Sequence, residues 1–174
     1  TNPCVFVLIG YNPSAYPNMW LEREYYYDSR QTLRQKSDYE YAKDFIEFIG
    51  DVYVDAIYID PSAASLKQEF RRNGIQNIRD AINDVVPGIR FQAQLLMNGT
   101  YKINRNCVNT IKEYANYLWD AAASKRGEDK PLKQNDHTMD SQRYALASHF
   151  FERIGPSMSA EEAARMEQRW YSRI

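Results

Sequence analysis

Apolar and polar positions divide the 174-residue chain into short strands and longer amphipathic helices. Cys4 to Tyr11 (CVFVLIGY) is an unbroken apolar run closed by Gly10 and Asn12-Pro13. Its brevity and Val/Ile content predict a buried strand. Met19 to Tyr27 predicts a second strand, running out into the polar stretch Asp28 to Lys36. Ser37 and Glu40 then stand at capping-box spacing, ahead of a stripe of Ala42, Phe45, Ile46 and Ile49, with Gly50 just beyond. That is the punctuation of an amphipathic helix.

Val52 to Ile59 (VYVDAIYI) predicts a third strand, stopped by Asp60-Pro61-Ser62. A helix with Leu66 and Phe70 inward runs to Asn73-Gly74, and a shorter one carries Ile78, Ile82 and Val85 to Pro87-Gly88. Ile89 to Met97 predicts a strand that turns at Asn98-Gly99 and returns antiparallel through Tyr101 to Ile103. Val108, Ile111, Ala115, Leu118 and Trp119 share a helical face, and Ala123 to Asn135 is a polar, basic loop. A helix opening at Asp136 turns Tyr144, Ala147, Phe150 and Phe151 inward, and Ser159 with Glu162 marks the start of a last helix. Strands first, then helices alternating with strands, predict one α/β domain on a central mixed β-sheet flanked by α-helices, with the strand ending at Asp60 near its middle.

Composition narrows the partners. Twenty-two Lys and Arg against 23 Asp and Glu give a net charge of −1, so nucleic-acid binding must rest on local clusters. The two cysteines, Cys4 and Cys107, suggest neither a disulfide framework nor a zinc site, and read as free thiols of a reducing cytosol. No apolar run reaches the roughly 18–20 residues of a membrane span, so no membrane partner is expected. The start at Thr1 reads as a fragment cut from a longer polypeptide.

Two places carry candidate chemistry. Asp60 follows an apolar strand directly, and open α/β sheets place ligand sites at that end of their strands. The plainer alternative is a cap on the helix after Pro61. Asp136, His137 and Asp140 form the second group, in DHTMDSQRYAL. Acids four apart on one helix face repel unless a cation lies between them, although an N-cap and a first-turn acid would look the same. Such ligands suit Mg²⁺ or Mn²⁺ rather than structural zinc, and two such ions can drive phosphodiester hydrolysis. Arg71 and Arg72 after Asp60, Lys125, Arg126, Lys130 and Lys133 in the late loop, and Arg143 are candidate phosphate contacts, each also readable as a solvated surface charge. No phosphate-loop motif, dinucleotide-binding glycine motif or nucleophile elbow occurs.

Several segments in the right order resemble the large terminases of tailed phages, of the PBSX and SPP1 type. They are NPCVFVLIG at 2–10, EYYYDSRQTLRQKSDYEYAKDF at 24–45, IYIDPSAASLKQEFRRNG at 57–74, the stretch from Gly88 through YLWD at Asp120, RGEDKP at 126–131 and DHTMDSQRYAL at 136–146. The resemblance implies an RNase H-like nuclease domain, part of a longer chain whose other half is an ATPase. It implies a Mg²⁺- or Mn²⁺-dependent endonuclease that cuts concatemeric double-stranded DNA at the start and end of packaging. The expected partners are that ATPase domain, a small terminase subunit and the portal of the procapsid, in the host cytoplasm. By motif, family acids fall on Asp60 and Asp140, with His137 and Asp136 as neighbours. The family's first acid ends a strand directly before the NP motif, so a first strand is expected ahead of Asn2. Competing expectations are another RNase H-like nuclease of resolvase or transposase type, and a non-catalytic DNA- or portal-binding module.

Overall fold

The structure, a computed structural model, describes residues 2–118, 131 and 135–154. The expected helix at Ser159 and most of the loop from Ala123 to Asn135 lie outside those residues. The elements in chain order are β1 (Cys4–Tyr11), β2 (Met19–Tyr27), α1 (Ser29–Thr32), α2 (Asp38–Ile49), β3 (Ile57–Ile59) and α3 (Ala64–Arg72), followed by β4 (Ile78–Asp80), α4 (Val85–Met97), β5 (Tyr101–Ile103), α5 (Val108–Asn116) and α6 (His137–Ile154).

β1 and β2 pair antiparallel, from Cys4 opposite Tyr27 to Tyr11 opposite Met19, with a register shift between Leu8 and Ile9. β5 adds to β2 in parallel, and β3 with β4 forms a separate parallel pair. Both faces of β1 are covered, which is why its sequence is apolar without alternation. Cys4 and Phe6 pack into a core with Ala42, Phe45 and Phe70 from α2 and α3. Val7 and Ile9 lie against the other core, built from Met19, Leu21, Phe91, Leu95, Tyr101, Leu146 and Phe150. Helices thus lie on both sides of the sheet.

The capping box forms as its spacing requires: Glu40 N–H donates to Ser37 Oγ at 3.3 Å, and Ser37 N–H to Glu40 Oε2 at 2.9 Å. Gly50 ends α2 with φ of 53°, a left-handed value that glycine adopts without steric cost.

Tertiary pairing overrides several sequence expectations. Only Ile57–Ile59 of the predicted third strand forms a ladder, because β4 offers three partners between Asn77 (φ 60°) and Ile82, whose N–H goes to Ser148 Oγ. Val52 and Tyr53 stay 47% and 82% exposed. Among the described residues β3 therefore pairs only with β4, in a two-stranded sheet, and is not in the middle of a larger one. Ile78 belongs to a strand, not a helix. The predicted strand Ile89–Met97 is the body of α4, in which Gly88, Phe91, Gln92 and Leu95 are buried at helical spacing. Pro87, read with Gly88 as a stop, is the third residue of α4, where an N–H would lack an intrahelical partner and proline is tolerated, while Gly88 N–H already donates to Asp84 O at 3.3 Å. Asn98-Gly99 consequently joins a helix to a strand, and β5 runs parallel to β2 instead of closing a hairpin.

α5 is turned the other way round from its apolar pattern. Val108, Ile111 and Leu118 are about half exposed, whereas Thr110 and Glu113 are buried. Hydrogen bonds set this orientation. Glu24 accepts from the N–H groups of Asn109 and Thr110 at 2.7 and 2.9 Å and from Thr110 Oγ1 at 2.6 Å. Among the described residues no helix is long and apolar enough to cross a membrane.

Candidate metal centre

The two sheets face each other across a cleft of about 1070 Å³ floored by α6. Residues of β1 line one wall and residues of β3 the other, and no ladder joins these strands among the described residues. Tyr58 Oη lies 3.0 Å from His149 Nδ1, while Tyr144 Oη donates to Asp60 Oδ2 at 2.7 Å, so β3 runs opposite to α6. The ring of Tyr11, at the end of β1, stands 4.9 Å from that of Phe150, so the end of β1 lies by the same turn of α6 that Tyr58 reaches.

Asp60, His137 and Asp140 all line it. Asp60 is set by its own turn and by α6. Its Oδ1 accepts from Ser62 N–H at 2.8 Å and Ser62 Oγ at 2.7 Å, and its Oδ2 from Tyr144. It does not cap the following helix, whose N-cap is Ala63 with no side-chain bond. Burial alone would raise its carboxyl, but the bonds from Ser62 and Tyr144, with the nearby charge of Arg143, hold it below the ordinary carboxylate value. The Tyr144 hydroxyl is pushed up, first by burial and then by its bond to Asp60.

Asp140 accepts from Arg143 Nη2 at 2.8 Å across one helical turn. Arg143 is only 1% exposed, and its guanidinium bonds a carboxylate inside the protein. Its Cζ lies 4.8 Å from the ring centre of Tyr144, within cation–π range. Contacts therefore run unbroken from Asp140 through Arg143 and Tyr144 to Asp60.

Asp136 is not brought to the cleft; it is 7% exposed, with Oδ2 buried and unpartnered. The N–H groups that open α6 are held instead by Glu113 of α5, whose Oε2 accepts from Thr138 N–H at 2.7 Å, Thr138 Oγ1 at 2.6 Å and Met139 N–H at 3.3 Å. Sequence reasoning missed Glu113, because its partner lies 25 residues away and the apolar pattern puts it on the outward face of α5.

The basic residues after Asp60 also divide. Arg71 and Arg72 are exposed at the far end of α3, roughly 13 Å along its axis at 1.5 Å per residue, and neither lines the cleft. Arg72 pairs with Glu69 at 3.4 Å. Lys67 is buried and ties Pro61 O (3.0 Å) to Asp80 (2.6 Å), linking the turn after β3 to β4. Lys125, Arg126, Lys130 and Lys133 lie outside the described residues.

No protein-family model and no curated protein matches the chain. Solved structures do. The large terminase of a thermophilic bacteriophage, in complex with ATP-γ-S, is 40% identical over 85% of this chain, with a TM-score of 0.79. This chain spans about 37% of that protein's length. The nuclease domain of the P22 large terminase matches over 83% of this chain and 73% of its own, at 16% identity and TM-score 0.61. That of the bacteriophage SPP1 large terminase, with bound Mn, matches over 88% and 80%, at 20% identity and TM-score 0.61. The chain belongs to the phage large-terminase family, and its fold is that of the family's nuclease domains.

Proposed function

We propose that this domain is an RNase H-like, Mg²⁺- or Mn²⁺-dependent endonuclease that cuts concatemeric double-stranded DNA when packaging starts and ends. The observation carrying this reading is the convergence of Asp60, from the end of β3, and Asp140, from the first turn of α6, on one cleft. Hard carboxylate oxygens are the donors Mg²⁺ and Mn²⁺ prefer, and the SPP1 relative is a nuclease domain with bound Mn. Asp60 and Asp140 would hold the ion, with His137 beside them at the reacting phosphate. When bound, such an ion supplies Lewis acidity at the attacking water and at the leaving oxygen.

Two carboxylates are an incomplete set for such an ion. Among the described residues no three His, Cys, Asp or Glu side chains group closely enough to hold one. The open edges of β1 and β3 favour a further strand between them, as the family resemblance expects ahead of Asn2. A strand there running parallel to β3 would finish at the Asp60 end, where an acid would join the other two. The ATPase domain, the small subunit and the portal are proposed as partners on the family resemblance.

The test is Mn²⁺-dependent nicking of plasmid DNA by the full-length protein. Asp60→Asn and Asp140→Asn should each abolish it in protein that still unfolds cooperatively, with a lower midpoint for Asp140→Asn because Arg143 loses its charged partner. Undiminished cleavage by both variants would overturn the assignment.

A further inference from the structure

Arg143 poses a question that packing does not answer. A guanidinium withdrawn from water costs several kcal/mol unless well paired, and a nonpolar side chain would fill the same space without that cost. Arg143 is buried between α4 and α6 with Nη2 on Asp140 Oδ1 at 2.8 Å. Its other contacts, to Asp84 O and Asn83 Oδ1, are both 3.5 Å long. Its Nε is buried with no hydrogen-bond partner. The short contact is therefore to the carboxylate of the cleft. Tyr144, the next residue, points a different way around the helix and bonds Asp60 on another element. Two adjacent side chains thus serve the two acids separately, and the arginine rests against the tyrosine ring.

We propose that Arg143 and Tyr144 are positioning residues for the nuclease reaction: Arg143 is the resident counter-charge that keeps the two acids together before a divalent ion binds, and Tyr144 is the tether that fixes the Asp60 carboxylate. The inference rests on the metal-site reading above. It gives the two side chains opposite signatures. Arg143 opposes an incoming cation, so removing its charge tightens metal binding while releasing Asp140 from its productive position. Tyr144 carries no charge, so removing its hydroxyl only loosens a ligand.

Mn²⁺ titration calorimetry on the full-length protein, combined with the Mn²⁺ dependence of nicking, separates these roles. Arg143→Met should bind Mn²⁺ roughly tenfold more tightly, the scale of a nearby charge, yet cleave more slowly at saturating Mn²⁺. Arg143→Lys, keeping the charge, should retain wild-type affinity. Tyr144→Phe should bind Mn²⁺ about tenfold more weakly, as loss of a residue supporting a metal ligand does. Weaker or unchanged binding by Arg143→Met overturns the proposal, since a purely structural arginine would give that. If Arg143→Met does not fold, unchanged Mn²⁺ affinity in Tyr144→Phe overturns it instead. Failure of the underlying reading looks different: wild type and Asp60→Asn would then give the same Mn²⁺ isotherm.

Discussion

Gly88 of α4 lies directly beneath the side chain of Arg143. A Cβ built on Gly88 would stand 2.7 Å from Arg143 Cγ and 2.8 Å from Cδ. The absence of a side chain at one position therefore makes room for the buried cation at another, and through it for the bond to Asp140. Gly88→Ala should cost about 1–3 kcal/mol, the usual scale of overpacking. Urea unfolding measures it, and an unchanged midpoint would show that Arg143 moves aside freely.

Glu113 gives a pH signature. Burial pushes its carboxyl above the ordinary 4.5, although the donors from Thr138 and Met139 pull the other way. The native state then keeps its proton to higher pH than the unfolded chain does. Its contribution to stability is fully present below 4.5 and is lost as pH rises through the raised folded value. Glu113→Gln cannot ionise and keeps an acceptor oxygen, so its stability relative to wild type should increase as pH rises across that window. Parallel stability profiles for the two proteins would contradict this.

The capping box of α2 supports the helix that covers Phe6. Ser37→Ala removes the acceptor for Glu40 N–H and should cost about 1 kcal/mol. A midpoint shift indistinguishable from zero in denaturant unfolding would mean that packing alone holds this end of the helix.

What could be read from the sequence was local. β1, β2 and α2 announced themselves through an apolar run and a capping box, because the residues that specify them are neighbours in the chain. α4 misled because Pro87-Gly88 marks a stop in isolation, while the first turn of a helix tolerates the same pair. β3 was overextended, because its length is set by the three residues β4 offers rather than by its own apolar content. In the site, Asp60, His137 and Asp140 were legible as polar residues at element ends. Charge predicts an exposed Arg143 side chain, and only the fold shows it turned to Asp140. The helical pattern turns Tyr144 inward, but its hydroxyl reaches Asp60 across 84 positions of sequence, a contact no local pattern encodes.

The most direct measurement is anomalous diffraction from a crystal of the protein soaked in Mn²⁺. A peak within roughly 2.0–2.3 Å of oxygens from both Asp60 and Asp140, in the range of hard-cation coordination, is the predicted result. Manganese bound elsewhere, with both carboxylates still held only by Tyr144, Ser62 and Arg143, would contradict the account.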